Sequence, residues 1–147
     1  MPSWGIHLEI ANRVSNKIKD VDKNLFMIGN VMPDINNGYV IRDVSKIIAH
    51  KITHYDGEQD FKGYRRFYIK YAKYIQNPVV LGSLTHLMTD YYYNNVTYTK
   101  KAIWDEKKKN VIGVKLNDGE QIKCNKEELR KIKRNDFRIY ADYVYKN

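Results

Sequence analysis

The chain has 147 residues, 43% of them hydrophobic and 29% charged, which fits one domain with a single substantial core and excludes a disordered chain. A formal net charge of +9 suits phosphate-bearing partners without choosing among nucleic acid, nucleotide and anionic lipid headgroups. Cys124 is the only cysteine, which excludes an internal disulfide, and with neither a signal-peptide pattern nor a long apolar run the chain is expected to be cytoplasmic, without a transmembrane segment.

The first helix is expected to start at Ser3 as N-cap, with Ile6, His7, Ile10, Ala11, Val14 and Ile18 spaced three and four apart on one face. His7 therefore falls on the buried side. A second, short helix is expected over 23–29, ended by Gly29-Asn30 and by Pro33, so that Asp34 sits in a turn just beyond it. Residues 35–58 hold the loop signals "NNG" and "YDGEQD", with Val44, Ile47 and Ile48 marking one or two helical turns between them.

From 59 to 76 the aromatics Phe61, Tyr64, Phe67, Tyr68, Tyr71 and Tyr74 recur at helical spacing, opposite a face of lysines and arginines. Asn77-Pro78 reads as an N-cap with proline at the first helical position, launching a nearly all-apolar helix to about residue 93. Next, "VIGVKLNDGEQIKC" alternates around an Asn-Asp-Gly turn, predicting strands over 111–116 and 120–124. The last helix starts at Asn125, with Glu128 in capping-box position, and its apolar face is Leu129, Ile132, Phe137, Tyr140, Tyr143 and Val144. The expected fold is mainly α: one helical-bundle domain over 1–147 with a small β-hairpin near 111–124.

The central helix carries an anomaly. "LGSLTHLMTD" places His86 and Asp90 four apart in an apolar stretch, on one face and with about 5–6 Å between their Cβ atoms. A lone carboxylate in such an interior costs several kcal/mol, so it needs a cation or several donors. An intrahelical His–Asp hydrogen bond would answer that, and so would a divalent metal. The company of His7, Asp34, His50 and His54 favours the metal, because imidazole and carboxylate from separate helices are the donors of hydrolytic metal sites.

The stretches "WGIHLEIA", "IGNVMPDI", "THY" and "LGSLTHLMTD", in this order over residues 4–95, resemble the zinc-dependent phospholipase C family, whose helical fold is shared with fungal zinc nucleases that cut single strands. The resemblance implies that His7, Asp34, His54, His86 and Asp90 are metal ligands, with Asp90 bridging two ions and Asp34 either a ligand or the general base. His50 is the alternative to His54, which "THY" favours, and Asp56 and Glu58 are nearby candidates for supporting or base roles. In the secreted members a mature N-terminal tryptophan completes one site; here Trp4 follows three residues. The secreted members also build a further site from later histidines, and no histidine follows His86, so one or two ions are expected.

The implied function is metal-dependent phosphodiester hydrolysis, with metal-bound hydroxide attacking phosphorus and zinc, or else iron or manganese, as cofactor. A phospholipid headgroup is the implied substrate and a nucleic acid its competitor, with peripheral contact to anionic surfaces. Two alternatives stand beside it: a catalytically inactive, metal-stabilised binding module, and a basic helical bundle that binds nucleic acid through its surface.

Overall fold

The computed structural model describes residues 3–36, 46–56 and 62–146. In chain order the described elements are α1 (Trp4–Ser15), α2 (Lys23–Ile35), α3 (His50–Thr53), α4 (Gly63–Tyr71) with a 3-10 turn after it (Ala72–Tyr74), α5 (Pro78–Asn95) with a π-helical turn after it (Val96–Lys101), β1 (Ala102–Trp104), β2 (Val111–Lys115), β3 (Gln121–Lys123) and α6 (Lys126–Lys146). The fold is mainly α with a small antiparallel sheet. It divides into two compact units, Ile6–Tyr91 and Met1–Gly5 with Tyr92–Asn147. No helix among the described residues is long and apolar enough to cross a membrane.

In the unit of Ile6–Tyr91 the helix α2 runs to Ile35, through the proline expected to stop it. Pro33 lacks the N–H that would bond the Gly29 carbonyl one turn earlier. The Ser83 hydroxyl supplies a replacement, donating to Gly29 O at 2.9 Å and sharing its hydrogen with Val79 O at 3.0 Å. Asp34 therefore lies within the last turn of a helix and not in a loop. The Asp22 carboxylate caps the start of α2 by accepting from Leu25 N–H at 3.0 Å.

Two glycines let α2 and α5 approach backbone to backbone. A side chain on Gly29 would collide with the Val79 carbonyl, and one on Gly82 with the Phe26 carbonyl. Asn30 Nδ2 donates to Gly82 O at 3.3 Å across the same crossing. Buried Ser83, like Thr85 and Thr89, directs its hydroxyl to the carbonyl four residues back, so the polar letters of α5 do not leave these groups unsatisfied. Asn77 caps α5 as expected, its Oδ1 accepting from Val79 N–H at 2.9 Å.

The opposite side of α5 packs Leu84 and Leu87 against Phe67 of α4, with Tyr55, Tyr64 and Tyr71 around them. The aromatic face of α4 is narrower than its spacing predicts, because Tyr68 and Tyr74 are about half exposed. Phe61 and Val44 lie outside the described residues. The helical turn between the loops is α3, at His50–Thr53, later than the Val44, Ile47 and Ile48 pattern that announced it; Ile47 is exposed. On α1, Ile6, His7 and Ala11 are buried as expected, whereas the helix ends at Ser15, before Ile18. Ser3 makes no cap, since its hydroxyl is buried without a hydrogen-bond partner among the described residues.

In the other unit the expected hairpin is present as β2 and β3, and β1 extends it to an antiparallel sheet of order β1-β2-β3. Gly119 takes φ +95° at the Asn-Asp-Gly turn, a conformation open to glycine. The β1–β2 connection was not foreseen: Asp105 organises it, accepting from Lys109 N–H at 2.8 Å and from Asn110 Nδ2 at 2.9 Å. These bonds, the backbone N–H of Lys109 first, hold the Asp105 carboxyl below the usual carboxylate range. Leu129 of α6 packs on Val111, Val114 and Cys124. The capping box forms as read, with Asn125 N–H donating to Glu128 Oε2 at 2.8 Å and Glu128 N–H to Asn125 Oδ1 at 3.0 Å. Phe137 is buried, Tyr140 and Tyr143 are exposed, and the Val144 side chain lies outside the described part.

Candidate metal centre

The crossing of α2 and α5 fixes the site by helical period. One turn beyond Asn30 stands Asp34, and one and two turns beyond Gly82 stand His86 and Asp90, so the contact that aligns the backbones brings these three side chains together. His7 arrives from α1, its ring stacked on that of His86 with centroids 3.9 Å apart. His50 and His54 arrive from α3, their rings stacked at 3.5 Å.

Their donor atoms converge. His7 Nε2 lies 3.4 Å from Asp90 Oδ1; His54 Nε2 lies 3.1 Å from Asp90 Oδ2 and 3.4 Å from Asp34 Oδ1; His86 Nε2 lies 3.6 Å from Asp90 Oδ2 and 3.8 Å from Asp34 Oδ2. The Nε2 atoms of His54 and His86 face each other at 3.2 Å. Two donor groups result, His7 with His86 and Asp90, and Asp34 with His50 and His54, each with its ligand atoms within 4.8 Å of one another. The two oxygens of Asp90 face across both groups.

The proton positions follow from bonding. A carbonyl only accepts, so His54 Nδ1, 3.2 Å from His50 O and 2.9 Å from Thr53 Oγ1, carries the hydrogen, while the Thr53 hydroxyl donates to His50 O at 3.2 Å. His54 Nε2 is then a bare lone pair, aimed at two carboxylates and a second imidazole. On His50 the Asp56 carboxylate, 3.3 Å from Nδ1, orients the ring and leaves Nε2 buried without a partner.

Several buried atoms have no hydrogen-bond partner among the described residues: both nitrogens of His7, Nδ1 of His86 and both oxygens of Asp90. The rings approach Asp90 closely, yet not aligned as conventional hydrogen-bond donors. Among the described residues no Lys or Arg forms an ion pair with Asp90.

These residues fit a metal. Zinc bound at about 2.0–2.1 Å in tetrahedral geometry spaces neighbouring ligands about 3.3–3.4 Å apart, whereas a neutral N–H···O bond would close to about 2.9 Å. Two of the five imidazole–carboxylate separations, His7–Asp90 and His54–Asp34 at 3.4 Å, match the former, and the other three run from 3.1 to 3.8 Å. The environment is dry: His7 and His86 are 0% exposed, Asp34 3% and Asp90 7%. His50 is the more accessible donor, its side chain 32% exposed.

Of the residues singled out in the sequence, His7, Asp34, His54, His86 and Asp90 come together, and His50 joins them beside His54 where one of the two was expected. Asp56 supports His50. Glu58 lies outside the described residues. Trp4 opens α1 within the other compact unit, its indole Nε1 buried without a partner among the described residues. Sequence reasoning passed over Thr53, which fixes the His54 tautomer, and Gly63, where a side chain would strike the His54 carbonyl. It also passed over Tyr55, held at φ +56° directly after His54, with its carbonyl accepting from Arg66 Nε at 2.6 Å. Comparison with protein-family models, curated proteins and solved structures returned no match.

Proposed function

We propose that the chain is a metal-dependent phosphodiester hydrolase of the phospholipase C kind. The observation that carries this reading is the orientation of His54: its Nδ1 is engaged by His50 and Thr53, which turns its Nε2 toward Asp34, Asp90 and His86, a convergence of donor atoms that a bound cation would satisfy. Hydrolytic metal sites use this donor set of neutral imidazoles and a carboxylate shared between ions. The resemblance of "WGIHLEIA", "IGNVMPDI", "THY" and "LGSLTHLMTD" to the zinc-dependent phospholipases C adds the substrate class, a phosphodiester with a lipid headgroup or, second to it, a nucleic acid.

In this reading His7, His86 and Asp90 would hold one ion and Asp34, His50 and His54 a second. A bound divalent metal, zinc first with iron or manganese as substitutes, supplies Lewis acidity, bringing the pKa of water toward 7 and neutralising charge on the phosphoryl oxygens. Asp34 has either of two roles: it would ligate the second ion or, free of it, accept the proton of the attacking water at a carboxylate oxygen. Asp56 and Thr53 keep the two α3 rings turned inward, and the accessible edge at His50 is where substrate enters.

The depth of burial favours a second reading, a metal-stabilised binding module without turnover, since His7, His86 and Asp34 leave little surface for a substrate. Elemental analysis of the purified protein beside Asp90→Ala comes first; absence of stoichiometric metal from the parent chain removes both readings. Hydrolysis of bis-nitrophenyl phosphate with and without chelator then separates them. Turnover abolished by chelator and restored by metal is expected of the enzyme, and silence in the metal-loaded protein leaves the module.

A further inference from the structure

The outer face of α4 takes no part in the candidate metal centre, and its cations rest on neighbouring tyrosine rings, Arg65 on Tyr64, Lys70 on Tyr55 and Tyr71, and Lys73 on Tyr74. Residues 62–74, "KGYRRFYIKYAKY", hold five basic residues and no acidic one. Gly63 and Phe67 are buried, with Tyr64 and Tyr71 packed beside them on the inner side. Ile69 points the other way and is 77% exposed, the most exposed of the large hydrophobic residues among those described. Arg65 stands one turn before it and Lys73 one turn after, both exposed, with exposed Lys70 adjacent. Tyr68 and Tyr74, about half exposed, flank this strip. Beside it opens a shallow cleft of about 460 Å³ lined by Tyr64, Arg65, Tyr68, Ile69, Leu84 and Met88, in the size range of small-ligand pockets.

We infer that this face docks onto an anionic lipid bilayer, with Ile69 and Tyr68 entering the headgroup boundary while Arg65, Lys70 and Lys73 meet lipid phosphates. A basic strip with no acid in it selects a polyanion, which leaves membranes and nucleic acids as occupants. The central isoleucine decides between them. An aliphatic side chain neither stacks on a base nor pairs with a phosphate, yet at the middle of a cationic helix face it is what an interfacial helix inserts, the longer lysine and arginine stems reaching back to the headgroups. The aliphatic lining of the cleft, Ile69 with Leu84 and Met88, continues the same apolar strip. Leu84 and Met88 lie two residues to either side of His86, about 200° around α5 from it. Docking and metal binding therefore use opposite faces of one helix, and the docking does not rest on the proposed hydrolase.

The test is co-sedimentation of the full chain with vesicles of phosphatidylcholine alone and of phosphatidylcholine mixed with phosphatidylserine, in the presence of chelator. Binding is expected only to the mixed vesicles. Arg65→Gln and Lys73→Gln each weaken it about fivefold, and Ile69→Ser about tenfold. Lys109→Gln, the same charge change in the β1–β2 connection, leaves it unchanged. The substitutions are on exposed positions, and thermal melts check that each variant is folded. No binding to the mixed vesicles overturns the proposal, and so does binding that Lys109→Gln weakens as much as Arg65→Gln. Binding sensitive to the charges but indifferent to Ile69→Ser, with a single-stranded oligonucleotide showing the same dependence, overturns it in favour of a nucleic-acid surface.

Discussion

The interior of residues 92–147 and the His/Asp cluster of residues 6–91 bury polar groups in opposite ways. Among residues 92–147 the buried Thr97 hydroxyl donates to Tyr93 O, and the buried Lys133 ammonium donates to Asn94 Oδ1 at 2.7 Å while the rings of Tyr93, Tyr98 and Phe137 surround it at 5.3–5.7 Å. Each polar group there is answered by protein atoms, and the rest of that interior is Val111, Val114, Cys124 and Leu129. Among residues 6–91 the buried Ser15, Asn30, Ser83 and Thr89 bond to backbone carbonyls, whereas in the cluster of His7, Asp34, His54, His86 and Asp90 several atoms have no hydrogen-bond partner among the described residues. An unmet buried group costs about 1–3 kcal/mol, so a cluster of them is a place where a bound cation would add stability. The difference separates a polar interior that answers its own groups from one whose donor atoms form a candidate metal site.

The largest break in that comparison comes from Asp90→Ala, which removes the carboxylate facing both donor groups. The parent chain is expected to gain about 4 kcal/mol of stability at a metal concentration of about 1,000 times Kd, and the variant none. Melting curves with chelator and with added zinc measure the gap. Equal stabilisation of both chains by zinc would place the metal elsewhere.

Gly82→Ala tests whether the α2–α5 crossing builds the site. The added methyl meets the Phe26 carbonyl, so the helices must part, at a cost of about 3 kcal/mol in urea unfolding. Metal affinity falls with it, since Asp34 and His86 are one turn from the crossing. A loss under about 1 kcal/mol with affinity retained would show that the crossing has slack the backbone contacts do not suggest.

Much of this organisation was legible in the sequence wherever the cause was local. The Asn77 and Asn125 caps, the Asn-Asp-Gly turn and the face shared by His86 and Asp90 each depend on residues within four positions of one another. What stayed hidden depended on distant partners. Pro33 reads as a helix stop until Ser83, 54 residues from the Gly29 carbonyl it serves, replaces the missing N–H. Strand β1 has three residues and a register broken by a bulge against β2, so its alternation never becomes a pattern. Lys133 reads as a solvated charge because the rings that enclose it come largely from residues 93 and 98, a separate stretch. In the metal centre the donors were visible as residue types, whereas the inclusion of His50 together with His54 needed the stacked geometry of α3.

A finer contrast is available within the polar cluster. Thr53→Val keeps the shape of the side chain and removes the hydroxyl that fixes the His54 tautomer. Metal affinity is expected to fall about tenfold, as for other supporting partners of ligating histidines. An unchanged affinity, measured by competition with a chromogenic chelator, would assign the tautomer to the His50 carbonyl alone.

Tyr55 and Tyr71 offer a pH-dependent version of the same question. Their hydroxyls meet at 2.9 Å; burial first, then this bond, pushes Tyr55 up to about 12, while the bond from Tyr55 draws Tyr71 down. For Tyr55 the folded value lies above the unfolded one, so its contribution is complete below pH about 10 and is lost as pH rises through the folded value of about 12. Tyr71→Phe is expected to cost about 1 kcal/mol at neutral pH and to let the Tyr55 titration fall back, followed by tyrosinate absorbance. No shift in that titration would mean that burial alone holds Tyr55.

Asn125→Ala is the mildest change and the control for all the others. It removes the side chain that accepts from Glu127 and Glu128 N–H at the start of α6, at a cost of about 1 kcal/mol. Because Glu128 Oε2 also accepts from Asn125 N–H, Glu128→Ala tests the other half of the box with a smaller loss. Neither variant touches a donor of the metal centre, so both should bind metal with the parent affinity while melting at a lower temperature. A fall in affinity matching the fall in stability would mean that the self-satisfied interior and the metal-dependent one unfold as a single cooperative system, and the contrast between them would then be one of chemistry without independence in folding.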